Sequence, residues 1–568
     1  MSCAFDDEIP ATLQHTLLQP FPHPKIKGAT AWRLATIMMC FRTLAPGENK
    51  MATADAYDNG RGHDPEFLGH PLGLYVCFAT ELWERFSFYG MKFLLLLYLT
   101  KYHLFSDTNG LEVLGGYAAL VYAMPVIGGL LADRYLGMRK AVIFGGVLLA
   151  LGHLGMAMEG EQARVDGGEV VRDDGALQVF YFSLALIVMG VGFLKPNIST
   201  IVGQLYSRED PRRDAGFTIF YMGINIGAFA ATLLCGYLGE TYGWQYGFGA
   251  AGIGMVIGLI TFIRGQKYLH DLAEPRDPVL LEKKTSLGLS YEWTIYLGAL
   301  ASVFLVWQML QFHGAVGLVL NLLSLAVLAG LGWFIFFKCN SVERDRMLVL
   351  VILTLSTVVF WALFEQASGS MTLYADRVVD RNILGYELTA SQFGSLNAFF
   401  IFLFAPIFAW LWTFLGRRGL EPSTPVKFAL GIVQAGLGFG ALVLGAASPD
   451  TAGMVVGYWL VLAYLLHTTG ELCLSPVGLS AVTKLAVPNV VGVMMGSWFL
   501  ATAYSEFVAA QLAKLAAIDT VNGAVKDIGA ALASYTELFS SLLYVGLGAG
   551  VLLLLVSPLL RKMMHGIH

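Results

Sequence analysis

The chain has 568 residues, of which 56% are hydrophobic and 14% are charged, and its formal net charge is −5. Soluble proteins carry about a quarter charged residues, so this composition predicts a polytopic membrane protein. The acidic balance and the scattering of basic residues argue against a nucleic-acid partner. The six cysteines include no CxxC pair and indicate neither a disulfide framework nor a metal site.

The first 70 residues are mixed in character, and their apolar stretch at 30–41 is too short to span a bilayer. Acidic residues at Asp6, Asp7 and Glu8 disfavour a signal peptide, whose start is basic. We interpret residues 1–70 as a cytoplasmic N-terminal extension of undetermined order. Translation from Met1 and translation from Met51 both stay open.

Apolar runs of about 20 residues recur from residue 72 onward, and each is long enough to cross a bilayer as a helix. These runs predict about fourteen transmembrane helices. They lie at 72–100, 111–133, 141–158, 178–203, 217–238, 246–264, 293–312, 315–337, 348–371, 391–415, 427–447, 454–484, 491–516 and 536–560.

Basic residues are unevenly divided between the two sets of connections. If the first helix starts in the cytoplasm, most lysines and arginines fall in cytoplasmic connections. The opposite set holds only Lys101, Arg164, Arg172, Arg377, Arg381 and Lys526. Positively charged connections stay inside, so both termini are predicted to be cytoplasmic.

A weak internal repeat relates the two halves of the chain. The segments 193–206 and 473–486 share a Leu-x-Pro motif, followed in each by a leucine nine residues after the proline. Two duplicated six-helix halves are what the major facilitator architecture requires. We therefore predict an all-α major facilitator fold. Its parts are an N-terminal six-helix bundle at 71–264, a cytoplasmic linker with an inserted helical hairpin at 265–347, and a C-terminal six-helix bundle at 348–568.

The first predicted span contains the charged stretch ELWERFSFYG, although charges inside a bilayer cost a few kcal/mol each. Residues three, four and seven apart share a helix face, so this span carries a polar stripe. The stripe consists of Glu81, Arg85, Tyr89 (or Phe88) and Lys92, with Glu84 beside it. A structural ion pair between Glu81 and Arg85 is the simpler interpretation. We favour a water-filled cavity in which these charges stay solvated and meet a ligand.

Three further charges lie deep in predicted spans. Lys195 is about 12 Å from the cytoplasmic end of its helix, farther than a lysine can reach along the helix to water. Glu365 and Glu471 are similarly deep in the C-terminal half, and each alone also fits a paired structural acid. Cations in one half and acids in the other predict an electrically polarised cavity that suits a zwitterion.

Three motifs resemble those of the proton-coupled oligopeptide transporter (POT) family of the major facilitator superfamily: ELWERFSFYG, FYMGINIG and GFLKPNIS. The segment GGLLADRYLGMRK adds a loop typical of the superfamily. The resemblance runs from about Pro71 to the C-terminus. It implies a cell-membrane proton symporter that imports di- and tripeptides by alternating access, as a monomer, driven by the proton gradient and without a cofactor.

The resemblance also implies roles for matching residues. Positions for substrate binding are Arg85, Tyr89, Lys92, Tyr122, Lys195, Asn225, Asn397, Glu471 and Trp498. Positions for proton coupling are Glu81, Glu84 and Glu365, the last facing Lys92. Lys195 and Glu471 are expected to approach each other as a gate. Pro196 and Pro476 remove backbone hydrogen bonds at equivalent places and are expected to let the gate helices bend.

Several residues depart from the family pattern. Phe88 lacks the hydroxyl of the first motif tyrosine, and Ala398 replaces the proline that commonly follows Asn397. Lys92 stands where the family usually has arginine, so a point charge replaces a bidentate fork. No histidine lies in the second span. These departures bear on substrate preference more than on the fold.

Other classes of protein fit the sequence less well. A major facilitator exporter or sugar carrier would lack the Glu81, Glu84 and Arg85 set. A carrier of nitrate, a peptide-like drug or another small anion or zwitterion on the same fold is the alternative, although Glu471 would repel an anion. A membrane enzyme would need a nucleophile or metal motif such as GxSxG or HExxH, and neither occurs. A sensor without transport would be expected to carry a sizeable soluble domain.

Overall fold

The computed structural model describes residues 65–568 apart from Arg208, Asn522 and His568. Both candidate start sites, Met1 and Met51, lie outside the described residues, as does most of the predicted N-terminal extension.

Fourteen long helices occupy the described part of the chain. The N-terminal half contains α1 (Leu72–Leu97), α2 (Asp107–Leu131), α3 (Met138–Met156), α4 (Asp174–Gln204), α5 (Arg213–Tyr242) and α6 (Trp244–Gly265). A hairpin follows, made of α7 (Tyr291–Gln311) and α8 (His313–Phe337). The C-terminal half contains α9 (Ser341–Phe364), α10 (Ser395–Arg417), α11 (Thr424–Ala446), α12 (Tyr458–Leu485), α13 (Val491–Ala513) and α14 (Ile528–Met563).

Short elements connect or extend these helices. Two are short α-helices, Pro278–Glu282 and Ser370–Arg377. Turns of π-helix extend α1 and α2, at Tyr98–Tyr102 and Ala132–Leu136. Single 3₁₀ turns lie at Gln266–Tyr268, Glu365–Ser368, Ser391–Gly394, Pro488–Val490 and Lys514–Ala516. The strand pairs are Glu66–Phe67 with His70–Pro71, Arg164–Asp166 with Glu169–Val171, Asn382–Ile383 with Tyr386–Glu387, and Thr520–Val521 with Ala524–Val525, all antiparallel, and Val379–Asp380 parallel to Val455–Val456.

Twelve helices of the described chain are long and apolar enough to cross a membrane. The two other long helices are α1, which carries four charged side chains, and α13. The prediction of an all-α polytopic membrane protein is confirmed.

The start of α9 differs from the prediction. Asn340 caps this helix: its side chain accepts a hydrogen bond from the Glu343 amide (2.9 Å), and the Glu343 carboxylate accepts one from the Asn340 amide (3.0 Å). This capping box satisfies two amides that the first turn leaves without helical partners. The predicted boundary between residues 347 and 348 therefore falls inside α9.

Helices within each half pack closely, and small residues allow the closest approaches. In the N-terminal half α1 packs on α5 and α6, and α3 packs on α4; in the C-terminal half α11 packs on α12 and α14. Gly128 of α2 lies so near α4 that a Cβ atom there would be 2.1 Å from the Gly192 carbonyl oxygen. Only glycine fits this approach. The Gly192 carbonyl is also the one that Pro196, four residues later, leaves without a helical hydrogen bond.

Ion pairs between the two halves gather at the end of the bundle where α1 finishes and α2 begins, which we call the α1–α2 end. The buried Asp107 carboxylate accepts two hydrogen bonds from Arg377, both 2.6 Å, and Arg377 also donates to the Tyr535 hydroxyl (3.0 Å). Two more pairs are Lys101 with Asp376 and Lys514 with Glu112, each 2.7 Å.

The opposite end, where α2 finishes and α3 begins, has a different pattern. Ion pairs at this end include Arg276 with Asp133 (2.5 Å) and Lys427 with Glu421 (2.5 Å), each within one half and its flanking segments. Lys140 pairs with Glu292 of the hairpin (2.8 Å). The halves are thus joined by three ion pairs at the α1–α2 end.

A buried histidine at the α1–α2 end predicts acid sensitivity. His103 follows the π-helical turn, contacts the rings of Tyr98, Tyr102 and Phe180, and has no hydrogen-bond partner at either ring nitrogen among the described residues. Burial, with a smaller effect of Arg172, lowers the pKa of His103 from its usual 6.5 to about 4.

The folded protein therefore disfavours the charged imidazole, whereas the unfolded chain protonates it below pH 6.5. Stability is retained above that pH and is lost as the pH falls from 6.5 towards 4, by up to about 3 kcal/mol at about 1.4 kcal/mol per pKa unit. We expect His103→Phe to flatten this dependence in thermal unfolding of detergent-solubilised protein. An unchanged slope in His103→Phe would contradict the assignment.

Candidate functional site

The charged stretch of α1 forms an ion cluster inside the N-terminal half. Arg85 Nε lies 3.2 Å from Glu81 Oε1 and also donates to Glu84 Oε2. All three side chains are buried. The expectation that these charges are solvated in a water-filled cavity is therefore wrong for this cluster. The Arg85 guanidinium attracts both buried carboxylates, and the pair of Glu81 with Arg85 is present.

The ion cluster keeps unused hydrogen-bonding capacity. Arg85 Nη2, Glu81 Oε2 and Glu84 Oε1 are buried without a hydrogen-bond partner among the described residues. A buried guanidinium nitrogen left unpaired is costly, and a ligand carboxylate would satisfy it. The Phe88 ring lies 5.2 Å from the Arg85 guanidinium carbon and 5.9 Å from Lys92 Nζ, so a buried ring without a hydroxyl separates the two cations.

Lys195 of α4 faces the ion cluster of its own half. Its ammonium lies 4.4 Å from the centre of the Tyr122 ring and interacts electrostatically with Arg85, Glu84 and Glu81. It does not lie within 4.0 Å of Glu471 as an ion pair, so the expected gate contact is not made in this structure. The physical reason is that the two halves are fastened at the α1–α2 end, whereas Lys195 lies in the part of α4 nearer the opposite end.

Glu471 of α12 lies on the C-terminal side of the site. Its Oε2 accepts a hydrogen bond from Asn397 Nδ2 (3.0 Å), and the same amide nitrogen lies 3.1 Å from Thr468 Oγ1. Across the site Glu471 interacts electrostatically with Tyr221 and Tyr89 of the N-terminal half. One carboxylate oxygen is thus held by Asn397, and aromatic residues of the other half face the group.

The remaining predicted substrate residues surround these charges. Asn225 is buried on α5, where its side-chain amide donates to the Tyr221 carbonyl (3.0 Å). Trp498 is buried on α13 with its ring centre 6.4 Å from that of Phe428. Tyr89 is half-buried between the cations of α1 and the acids of the C-terminal half. Their roles in binding stay predictions.

Lys92 links the two halves within the membrane. Its ammonium lies 2.8 Å from Glu365 Oε2, as expected, and also 2.8 Å from Glu506 Oε1 of α13. Glu365 occupies a 3₁₀ turn directly after α9, and Gly369 follows that turn. Glu506 was not among the residues predicted from the sequence. It is a carboxylate deep in the predicted span 491–516, and the same feature had singled out Glu365 and Glu471. We call Lys92, Glu365 and Glu506 the Lys92 clamp.

The two prolines expected to act at the gate lie inside helices. Pro196 lies inside α4 and does not end it, because the helix continues to Gln204. The Pro196 carbonyl accepts a hydrogen bond from the Thr200 hydroxyl (2.9 Å). The α12 backbone is likewise helical through Pro476, whose side chain lies outside the described residues. Their role in bending stays a prediction.

The chain matches known proteins over most of its length. The model of the POT family matches residues 139–538. An uncharacterized transporter of Bacillus subtilis, YclF, is 38% identical over 511 residues, covering 88% of this chain and 96% of the relative. Dipeptide and tripeptide permease A of Cronobacter turicensis is 34% identical, covering 87% and 93%. A crystal structure of a peptide transporter POT variant in complex with alafosfalin superposes with a TM-score of 0.75 at 36% identity, covering 89% and 98%.

The helical bundle and these matches define a multi-pass membrane transporter with the major facilitator fold, and not an enzyme. The chain belongs to the POT family. The family resemblance of its motifs is thereby confirmed.

Proposed function

We propose that this protein is a proton-coupled symporter that imports di- and tripeptides by alternating access. The observation that carries the proposal is the polarised arrangement of charges around Tyr89. Arg85 and Lys92 lie on its own helix, and Glu365 and Glu471 lie across from it in the C-terminal half. A zwitterionic peptide would satisfy both sides at once, because a buried charge needs a partner.

The unused Arg85 nitrogen and the ammonium of Lys195 would hold the peptide carboxylate. Glu471, steadied by Asn397, would hold the peptide amine. Since Lys195 and Tyr122 are half-buried, a ligand would have access to both side chains. Di- and tripeptides fit this scheme because every one of them carries one amine and one carboxylate, whatever its side chains.

The charged residues also indicate the orientation of the protein in the membrane and the state of the transport cycle. The unequal distribution of lysine and arginine supports cytoplasmic termini, which places the α1–α2 end outside. The structure would then correspond to a state closed outside and open inside. Outside closure would be held by the Lys92 clamp and the pair of Asp107 with Arg377. We further propose that the protein works as a monomer in the cell membrane and needs no cofactor besides the proton gradient.

Proteoliposomes test this function. Labelled dialanine should accumulate against its gradient when the outside is acidic, and a protonophore should abolish the accumulation. Accumulation indifferent to both treatments would contradict proton coupling. Failure of dialanine to enter or exchange, with transport of nitrate or a non-peptide zwitterion instead, would favour the alternative substrate class.

A further inference from the structure

The Lys92 clamp contains one more acid than cation. Lys92 is 2% exposed, and its two partners Glu365 and Glu506 are 14% and 4% exposed. The two carboxylate oxygens cannot be farther apart than twice 2.8 Å, because each lies 2.8 Å from the same nitrogen. A lysine ammonium has three donors, so it can serve both acids at once and retain a third hydrogen.

Each partner of Lys92 sits on a separate element. Lys92 is on α1 in the N-terminal half; Glu365 follows α9 and Glu506 lies on α13, both in the C-terminal half. The groups facing Glu506 within the described residues are Lys92 from α1, Glu365 from the turn after α9, and Tyr117 and Tyr122 from α2. Lys92 is the one cation among them.

This geometry changes what protonation of Glu365 can achieve. If Glu365 alone takes up a proton, Lys92 stays bound to the ionised Glu506, and the two halves stay linked. Release of Lys92 towards a substrate carboxylate would then leave Glu506 as a buried charge without a partner, which is costly. Both carboxyls must therefore be neutral while the clamp is open.

We propose that Glu506 is a second proton-carrying group of the transport cycle. In the closed clamp, Lys92 stabilises both carboxylates. In the opened clamp, protons that arrive from the outside form an O–H bond on each carboxylate, which keeps both contacts to the ammonium broken, and Lys92 keeps its positive charge for the substrate. On return to the closed clamp both protons leave towards the cytoplasm. The clamp thus couples two protons to each peptide, an inference that rests on the proposed symport function.

The departure at Lys92 from the arginine usual in the family fits this proposal. A guanidinium holds its donors in a fixed planar fork, whereas an ammonium is a compact charge whose three donors rotate freely and can point to separate acids. The second acid and the lysine therefore form one unit in this chain. The proposal predicts that removing either acid leaves a clamp that one proton can open.

The test compares wild type with Glu506→Gln in proteoliposomes. At a proton-motive force of about 60 mV, each coupled proton raises the limiting accumulation of peptide about tenfold. We expect Glu506→Gln to lower the limiting accumulation of dialanine about tenfold and to lower the measured number of protons entering per peptide by one. Counterflow, which exchanges labelled for unlabelled peptide without net proton movement, should survive.

Matched variants separate the possible failures. Glu292→Gln removes a carboxylate that pairs with Lys140 at 2.8 Å on the hairpin, and it should leave both readouts unchanged. Unaltered accumulation and proton count in Glu506→Gln would overturn the inference. If Glu506→Gln also loses counterflow, Glu506→Asp decides: it must restore exchange together with the wild-type proton count, and any other result overturns the inference. Absence of proton-driven accumulation in wild type would instead contradict the proposed function itself.

Discussion

Glu365→Gln should lower proton-driven accumulation of dipeptide at least about tenfold at a proton-motive force of about 60 mV, because one coupled proton is lost. The carboxylate lies 2.8 Å from Lys92 across the two halves, so its charge decides how firmly they are held together. Glutamine keeps the shape and removes the titration. Counterflow measured on the same preparation should continue, because exchange needs no net proton movement.

The size of the loss distinguishes two mechanisms. If Glu365 is the sole carrier, Glu365→Gln abolishes accumulation and Glu506→Gln has no effect. If both acids of the Lys92 clamp carry protons, each single variant loses about tenfold and the double variant loses accumulation altogether. A Glu365→Gln protein that concentrates peptide as wild type does would place the coupling elsewhere. Glu81 and Glu84 would then be the residues to replace next.

The fold could be predicted from the sequence because bilayer thickness imposes a minimum length on every apolar run. The helix ends could not. The predicted run at 348–371 extends past the end of α9 at Phe364, because the α-helix breaks at Glu365–Ser368 in a stretch of small and polar residues before Gly369, and a second helix begins at Ser370. The composition of this run indicates one apolar segment. The break, which composition does not reveal, sets the direction of the Glu365 side chain.

The candidate site was predictable as a set of charges, and less so as a set of pairs. Spacing on α1 placed Glu81 and Arg85 on one face, and they do pair. The same spacing did not indicate that Glu84, one residue from Arg85, also binds its guanidinium, because side-chain conformation decides that contact. Nor did it place Lys92 between two acids, since Lys92 and Glu506 are 414 positions apart in the chain.

Conformation limits a sequence-based prediction in another way. The gate expected between Lys195 and Glu471 belongs to a state in which the halves meet at the opposite end. The structure has them fastened by Asp107 with Arg377 and by the Lys92 clamp. A contact that needs another arrangement of the halves is absent from this one. The Lys195 and Glu471 contact therefore stays a prediction for the alternate state.

The amine end of the site gives the second large expected effect. Glu471→Gln should weaken binding of dipeptides that carry a free amine by about ten- to a hundredfold, because losing a hydrogen bond to a charged group costs about 1.5–3 kcal/mol. Glutamine retains a side-chain oxygen for Asn397 Nδ2, which lies 3.0 Å from Glu471 Oε2, so the local contact persists while the negative charge disappears. Competition for labelled dipeptide uptake measures the affinities. N-acetylated dipeptides, which have no ammonium, should bind the variant and the wild type alike. Glu421→Gln is the control, because it removes a carboxylate paired with Lys427 at 2.5 Å. It should change neither the affinity for free dipeptides nor that for acetylated ones. Equal weakening of acetylated and free dipeptides in Glu471→Gln would remove Glu471 from the amine site and leave it a structural partner of Asn397.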